Sequence, residues 1–204
     1  MHEQAVLGYD AREVRRSGYR LSLPGSEQAK TYLLRTDIVD VLSVDHMVWP
    51  SIFGEPGSGK LVHPEWIGMN TPFWDHLSEL QVAAAAVKEP MQFIAATWHT
   101  NRGFDEEATG MFGRPYLSEP HPEHLDGTWK FVGYDIADGS FISGLSNCGY
   151  RDEERDALAT QWAPHLNGYH LLEDIERAFE FREITNARVK EHAPFFVFGL
   201  WLLI

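Results

Sequence analysis

Cysteine is almost absent: Cys148 is the only one in 204 residues. A single thiol excludes an intrachain disulfide and any zinc site built on several thiolates, and it suits a reducing compartment, so the expected location is cytoplasmic. Positive charge is also scarce. Seventeen Lys and Arg face 30 Asp and Glu, leaving a net charge of -13. A field of that sign repels nucleic-acid phosphates and anionic headgroups while attracting basic surfaces, so no nucleic acid and no membrane are expected as partners. The longest apolar run, Phe195 to Ile204, falls well short of the ~20 residues of a spanning helix, and MHEQAVLGYD lacks the basic and then apolar stretches of a secretory leader. No heptad series, low-complexity tract or internal repeat stands out in the sequence, which argues against solenoids and arrays.

What is present is globular in kind, with 44% hydrophobic and 23% charged residues. Asp10 and Glu13 have the spacing of a capping box, and Gly18 would close a short helix. Tyr19 to Leu23 alternates like a strand, while 29–44 fits helix or strand equally. Seven Pro and Gly residues between Val48 and Asn70 predict a long loop. Thr71 as N-cap, Pro72 at the first helical position and Phe73, Leu77, Leu80, Ala84 and Val87 predict a helix that Pro90 stops. Met91 to Thr97 reads as a buried strand, and 101–127 as a second long loop. Trp129 to Ile136 and Ser140 to Leu145 flank Asp138-Gly139, a hairpin signal. Helices are expected at 152–162 and from about 173 to 188, and Phe195 to Ile204 as a strand covered on both faces. The expected fold is therefore α+β, one domain over 1–204, with a mixed or antiparallel sheet and about four helices packed on it.

Each motif that suggests chemistry lacks a part. Gly54 to Lys60 matches GxxxxGK, but Leu61 replaces the magnesium-binding hydroxyl residue and Pro64 follows where a helix should start. Gly144-Leu-Ser146-Asn-Cys148 ends in cysteine where a nucleophile elbow needs glycine. Cys148 itself could act as a nucleophile, with His165, His170 and His192 downstream as bases. His121, Glu123 and His124, and likewise His63 and Glu65, resemble metal-ligand spacings, but sit in Pro-rich stretches without the helix or paired cysteines that such sites need. His99, directly after a predicted strand, is the best-placed histidine for chemistry. No catalytic residue, metal or cofactor is assigned from these fragments.

Charge carries more information. Glu173, Glu176, Glu180 and Glu183 recur at spacings of three and four, so they share one helix face opposite Leu172, Ile175, Ala178 and Phe179. Like charges so spaced each cost a few tenths of a kcal/mol, and Arg177 alone among the helix's bases is placed to relieve them, since Arg182 falls on the apolar side. The preceding helix opens with Asp152, Glu153, Glu154 and Asp156, more acid than the helix dipole requires. Residues 101–204 hold 18 acids and 9 bases, against 12 and 8 in 1–100. Aromatics in the predicted loops, among them Trp49, Trp66, Phe104 and Tyr116, supply the rings that hot-spot surfaces use. These features predict an acidic, non-enzymatic inhibitor of a basic protein, of the kind represented by bacterial immunity proteins that block a nuclease-type toxin effector domain. The competing expectation is a small hydrolase or transferase using His99 or Cys148, walled by the two long loops.

Overall fold

The computed structural model of the chain describes residues 3–13, 34–35, 40–44, 73–74, 76–85, 87–88, 90–103, 125–139, 141–146 and 152–204. Its order is β1 (Glu3–Glu13), α1 (Leu77–Ala84), β2 (Met91–Thr100), β3 (Trp129–Asp138), α2 (Asp152–Trp162), a 3-10 turn (Ala163–His165), α3 (Ile175–Arg188) and β4 (Phe195–Leu203). The four strands form one antiparallel sheet in the order β1-β2-β4-β3. The architecture is α+β, with three α-helices among the described residues. β4 is central, which explains its nearly unbroken apolar run.

Three expectations change. The capping-box helix at Asp10 is instead β1: Tyr9 and Ala11 bury on one side while Asp10 and Arg12 point to the other, a period of two that the acid spacing masked. α1 begins only at Leu77 because Trp74 is drawn into extended pairing with Tyr9, and it ends at Ala84 rather than running to Pro90. After the Asp138 turn the chain does fold back, but onto β3 through a single bridge, Ala137 to Ser143, rather than as a strand. The expected strand at 19–23, the loop 48–70, Thr71 and Pro72, and most of 29–44 and 101–127 lie outside the described residues.

The structure also contains a repeat that the sequence hides. β1, α1 and β2 correspond to β3, α3 and β4, related by a pseudo-twofold passing through the paired residues Ala96 and Leu200. Gly8-Tyr9-Asp10 matches Gly133-Tyr134-Asp135. In each copy the register slips at the glycine, after Val6 in one and Phe131 in the other. Gly8 and Gly133 have φ of 144° and 142°, and a Cβ at either would lie 2.6 Å from the segment crossing that strand's outer edge. The next residue closes that edge with two backbone bonds, Tyr9 to Trp74 at 2.9 and 2.8 Å and Tyr134 to Leu172 at 2.7 and 2.9 Å. Both exposed edges are thereby blunted in the same way. The helix follows three residues later in each copy, at Leu77 and at Ile175.

Both helices bury onto the same face of the sheet. α1 packs Leu80 and Ala83 against Tyr9, Ala11 and Ala95. α3 packs Ala178, Phe179 and Phe181 with Leu158 and Trp162 of α2 against Ile136, Phe195 and Val197. The opposite face carries the largest cluster, where Leu42, Val44, Phe73, Phe141 and Leu171 cover Ile94, Trp98, Phe196 and Phe198.

Candidate functional site

The acidic candidates sit on the outer sides of α2 and α3. Asp174 caps α3 by accepting a bond from the Arg177 N–H at 2.9 Å, so Glu173 lies just before the helix rather than in it. Glu173, Glu176, Glu180 and Glu183 are exposed, while Ala178, Phe179 and Phe181 turn inward. On α2, Glu153 and Asp156 are exposed and Glu154 half-buried; the side chain of Asp152 lies outside the description. Trp162 of α2 meets Phe181 of α3 edge-on at 5.0 Å, which holds the two helices on one core with their charged sides outward.

The stripe is less bare than the sequence implies. Arg177 binds Glu180 at 2.6 Å. Arg182 is 2% exposed, its guanidinium 4.8 Å from the centre of the Phe179 ring, yet its Nη2 reaches back to Glu183 at 2.8 Å and to Asn101 at 3.0 Å. Arg102, from beyond the end of β2, adds a second cation to Glu183 at 3.0 Å. Glu183 is thus held in place by two arginines, while Glu180 is a solvent-screened surface pair of little energetic weight. Arg155 stands 3.6 Å from Asp156.

His99 occupies a built niche inside the sheet. It is 5% exposed, packs edge-on against Tyr134 at 5.2 Å, and its Nε2 lies 2.8 Å from the Thr97 hydroxyl oxygen. That oxygen also accepts from Trp201 Nε1 at 3.1 Å and stands 3.2 Å from the Gly199 carbonyl. A Cβ at Gly199 would fall 2.5 Å from Thr97 Oγ1 and 2.6 Å from His99 Nε2, so only glycine leaves room for this arrangement. Tyr134, half-buried, has its hydroxyl pKa raised by burial and by the nearby Asp174. Such a histidine is tied into the core rather than aimed at a substrate. Cys148 lies outside the described residues, as do His63, Glu65, His121, Glu123 and His124.

Three carboxyls, two of which the sequence suggests only as a helix cap (Asp10) and a turn residue (Asp138), are buried or half-buried. Asp138, 1% exposed, pairs with His192 Nδ1 at 2.9 Å and caps its own turn by accepting from the Ile142 N–H at 3.0 Å. Asp135, fully buried, accepts four bonds: Ser143 Oγ at 2.6 Å and Ile136 N at 2.8 Å on one oxygen, Ser43 Oγ at 2.7 Å and Val44 N at 3.0 Å on the other. Burial nevertheless raises its pKa to about 6. Asp10, its counterpart in the first half, accepts from Ala11 N at 2.7 Å, and desolvation raises it to about 8. The signal of Asp10 and Asp135 in the sequence is the repeated Gly-Tyr-Asp, visible only once the two strands are superposed.

Among the described residues no three His, Cys, Asp or Glu side chains cluster as metal ligands, and no helix is long and apolar enough to cross a membrane. Comparisons with protein-family models, with curated proteins and with solved structures return no match.

Proposed function

We propose that this chain is a cytoplasmic, non-enzymatic inhibitor that uses the outer sides of α2 and α3 to bind a basic protein, as an immunity protein does a nuclease-type toxin. One observation carries this reading: between residues 152 and 183 nine acids face three bases, and one of those bases, Arg182, is buried. Carboxylates on rigid helices steer a cationic partner and raise its association rate without any catalytic group. Glu153, Asp156, Glu173, Glu176 and Glu180 form the accessible part of this surface, and Glu183 is its fixed border with Arg102. The burial of His99 counts against the hydrolase alternative.

The test is capture of native partners on the tagged protein, washed at low and then high salt and identified by mass spectrometry. A stoichiometric basic protein released by salt supports the proposal. Absence of any partner at either salt concentration contradicts it.

A further inference from the structure

Asp135 of β3 joins the 141–146 turn, which is bridged to that strand through Ala137 and Ser143, to the 40–44 segment, which no strand pairing connects to either. Its two oxygens are served symmetrically, each by one backbone N–H and one serine hydroxyl: Ile136 and Ser143 on Oδ1, Val44 and Ser43 on Oδ2. The carboxyl so fastens the 40–44 segment and the 141–146 turn to β3. All four partners are neutral. A carboxylate removed from water without a cation loses hydration that neutral donors only partly restore, so the folded environment favours the protonated form. The two hydroxyls make that form tolerable. Backbone N–H groups can only donate, but either serine can rotate to accept the carboxyl proton, which keeps every contact in place. Asp10 supplies the internal comparison, with the same Gly-Tyr-Asp setting and the same bond from the following N–H.

We propose that Asp135 is a proton-operated latch, holding the 40–44 segment and the 141–146 turn firmly when its carboxyl is protonated and loosening them when it ionises. Opening the latch hydrates the carboxyl, so the open form ionises more readily than the closed one and rising pH favours opening. The raised pKa of Asp135, about 6, puts the change within the physiological range. Among the described residues few other titratable groups face it. Asp40 on the 40–44 segment is paired with Arg12 at 2.9 Å, and His170 places Nε2 2.9 Å from the Leu145 carbonyl. Residues 141–146 and the facing Phe198 of β4 bring none.

Hydrogen exchange of the Val44 amide in the intact protein, corrected for the intrinsic pH dependence, tests this. Protection should fall by up to roughly thirtyfold between pH 4.5 and 7.5, since each unit of pH below the Asp135 pKa of about 6 corresponds to about tenfold and the change levels off above it. Its midpoint should coincide with the Asp135 carboxyl titration followed by carbon NMR. Asp135→Asn should abolish the step, and Ser43→Ala, which removes one donor from the carboxylate, should move the midpoint upward. Because Asp135→Asn presents an amide to backbone donors and could fail to fold, the wild-type and Ser43→Ala profiles decide the matter by themselves. Protection that stays level through the Asp135 titration, or that rises with pH, overturns the proposal.

Discussion

The two halves of the sheet share a frame and differ in what they hang on it. Each has a glycine bulge, a tyrosine that closes the outer edge, an inward aspartate, a helix on the same face and a returning inner strand. The first half carries an 8-residue helix with one acid in its first turn, whereas α3 has 14 residues and faces outward with a row of carboxylates. At the position of Ala83 on α1, α3 places Phe181, and α2 adds Trp162 beside it. Among the described residues the second half thus buries larger side chains beneath its helix, and it is the more charged half. A fold is fixed by the shared elements and a function by groups added outside them, which is why the outer sides of α2 and α3 are the place to look.

Mutations can break or sharpen this comparison. The largest effect is expected in the second core: Phe181→Ala should destabilise by about 3–5 kcal/mol in urea unfolding, and Leu80→Ala, under α1, by about 2–3 kcal/mol. A reversed order would mean that the first half is the better packed. Next comes pH. The folded pKa of Asp135 lies above the ordinary carboxyl value, so its contribution to stability is fully present below pH ~4 and lost as pH rises through about 6, a loss of about 3 kcal/mol. Asp10 acts in the same direction up to about pH 8, with less weight because it is only half-buried on an edge strand. Stability measured from pH 4 to 8 should therefore decline, and Asp135→Asn should flatten the lower part of that decline.

Gly8→Ala and Gly133→Ala should cost about 2 kcal/mol each, from a backbone conformation that L side chains avoid and from contact with the crossing segment. Unequal costs would break the equivalence of the two edges. The smallest effect on stability is expected at the outer carboxylates, where Glu176→Lys with Glu180→Lys should stay within about 0.5 kcal/mol.

The parts legible in the sequence were those set by local periodicity or by unbroken apolar character: β2, β3 from Trp129, α2, most of α3 and the central strand β4. β1 was misread because Asp10 and Glu13 imitate a helix cap while the true signal, Tyr9 and Ala11 alternating with Asp10 and Arg12, is short and displaced by the Gly8 bulge. The start of α1 was misplaced because Trp74 bonds to Tyr9, sixty-five positions away, and no local pattern records that contact. The repeat stayed hidden for the same reason, since only Gly-Tyr-Asp is common to the two copies and their correspondence is a matter of register. The outward acids of α3 followed from spacing, but the capture of Glu183 by Arg102 depends on the end of β2 meeting α3.

The central claim is that the outward carboxylates bind while the inward ones hold the fold. It is tested most directly by titrating the captured basic partner against wild type and the Glu176→Lys, Glu180→Lys double variant over a range of salt, with urea unfolding of both in parallel. The account predicts equal unfolding midpoints and a loss of affinity that is largest at low salt and shrinks as screening increases. Unchanged affinity with unchanged stability would contradict it and remove α3 from the interface.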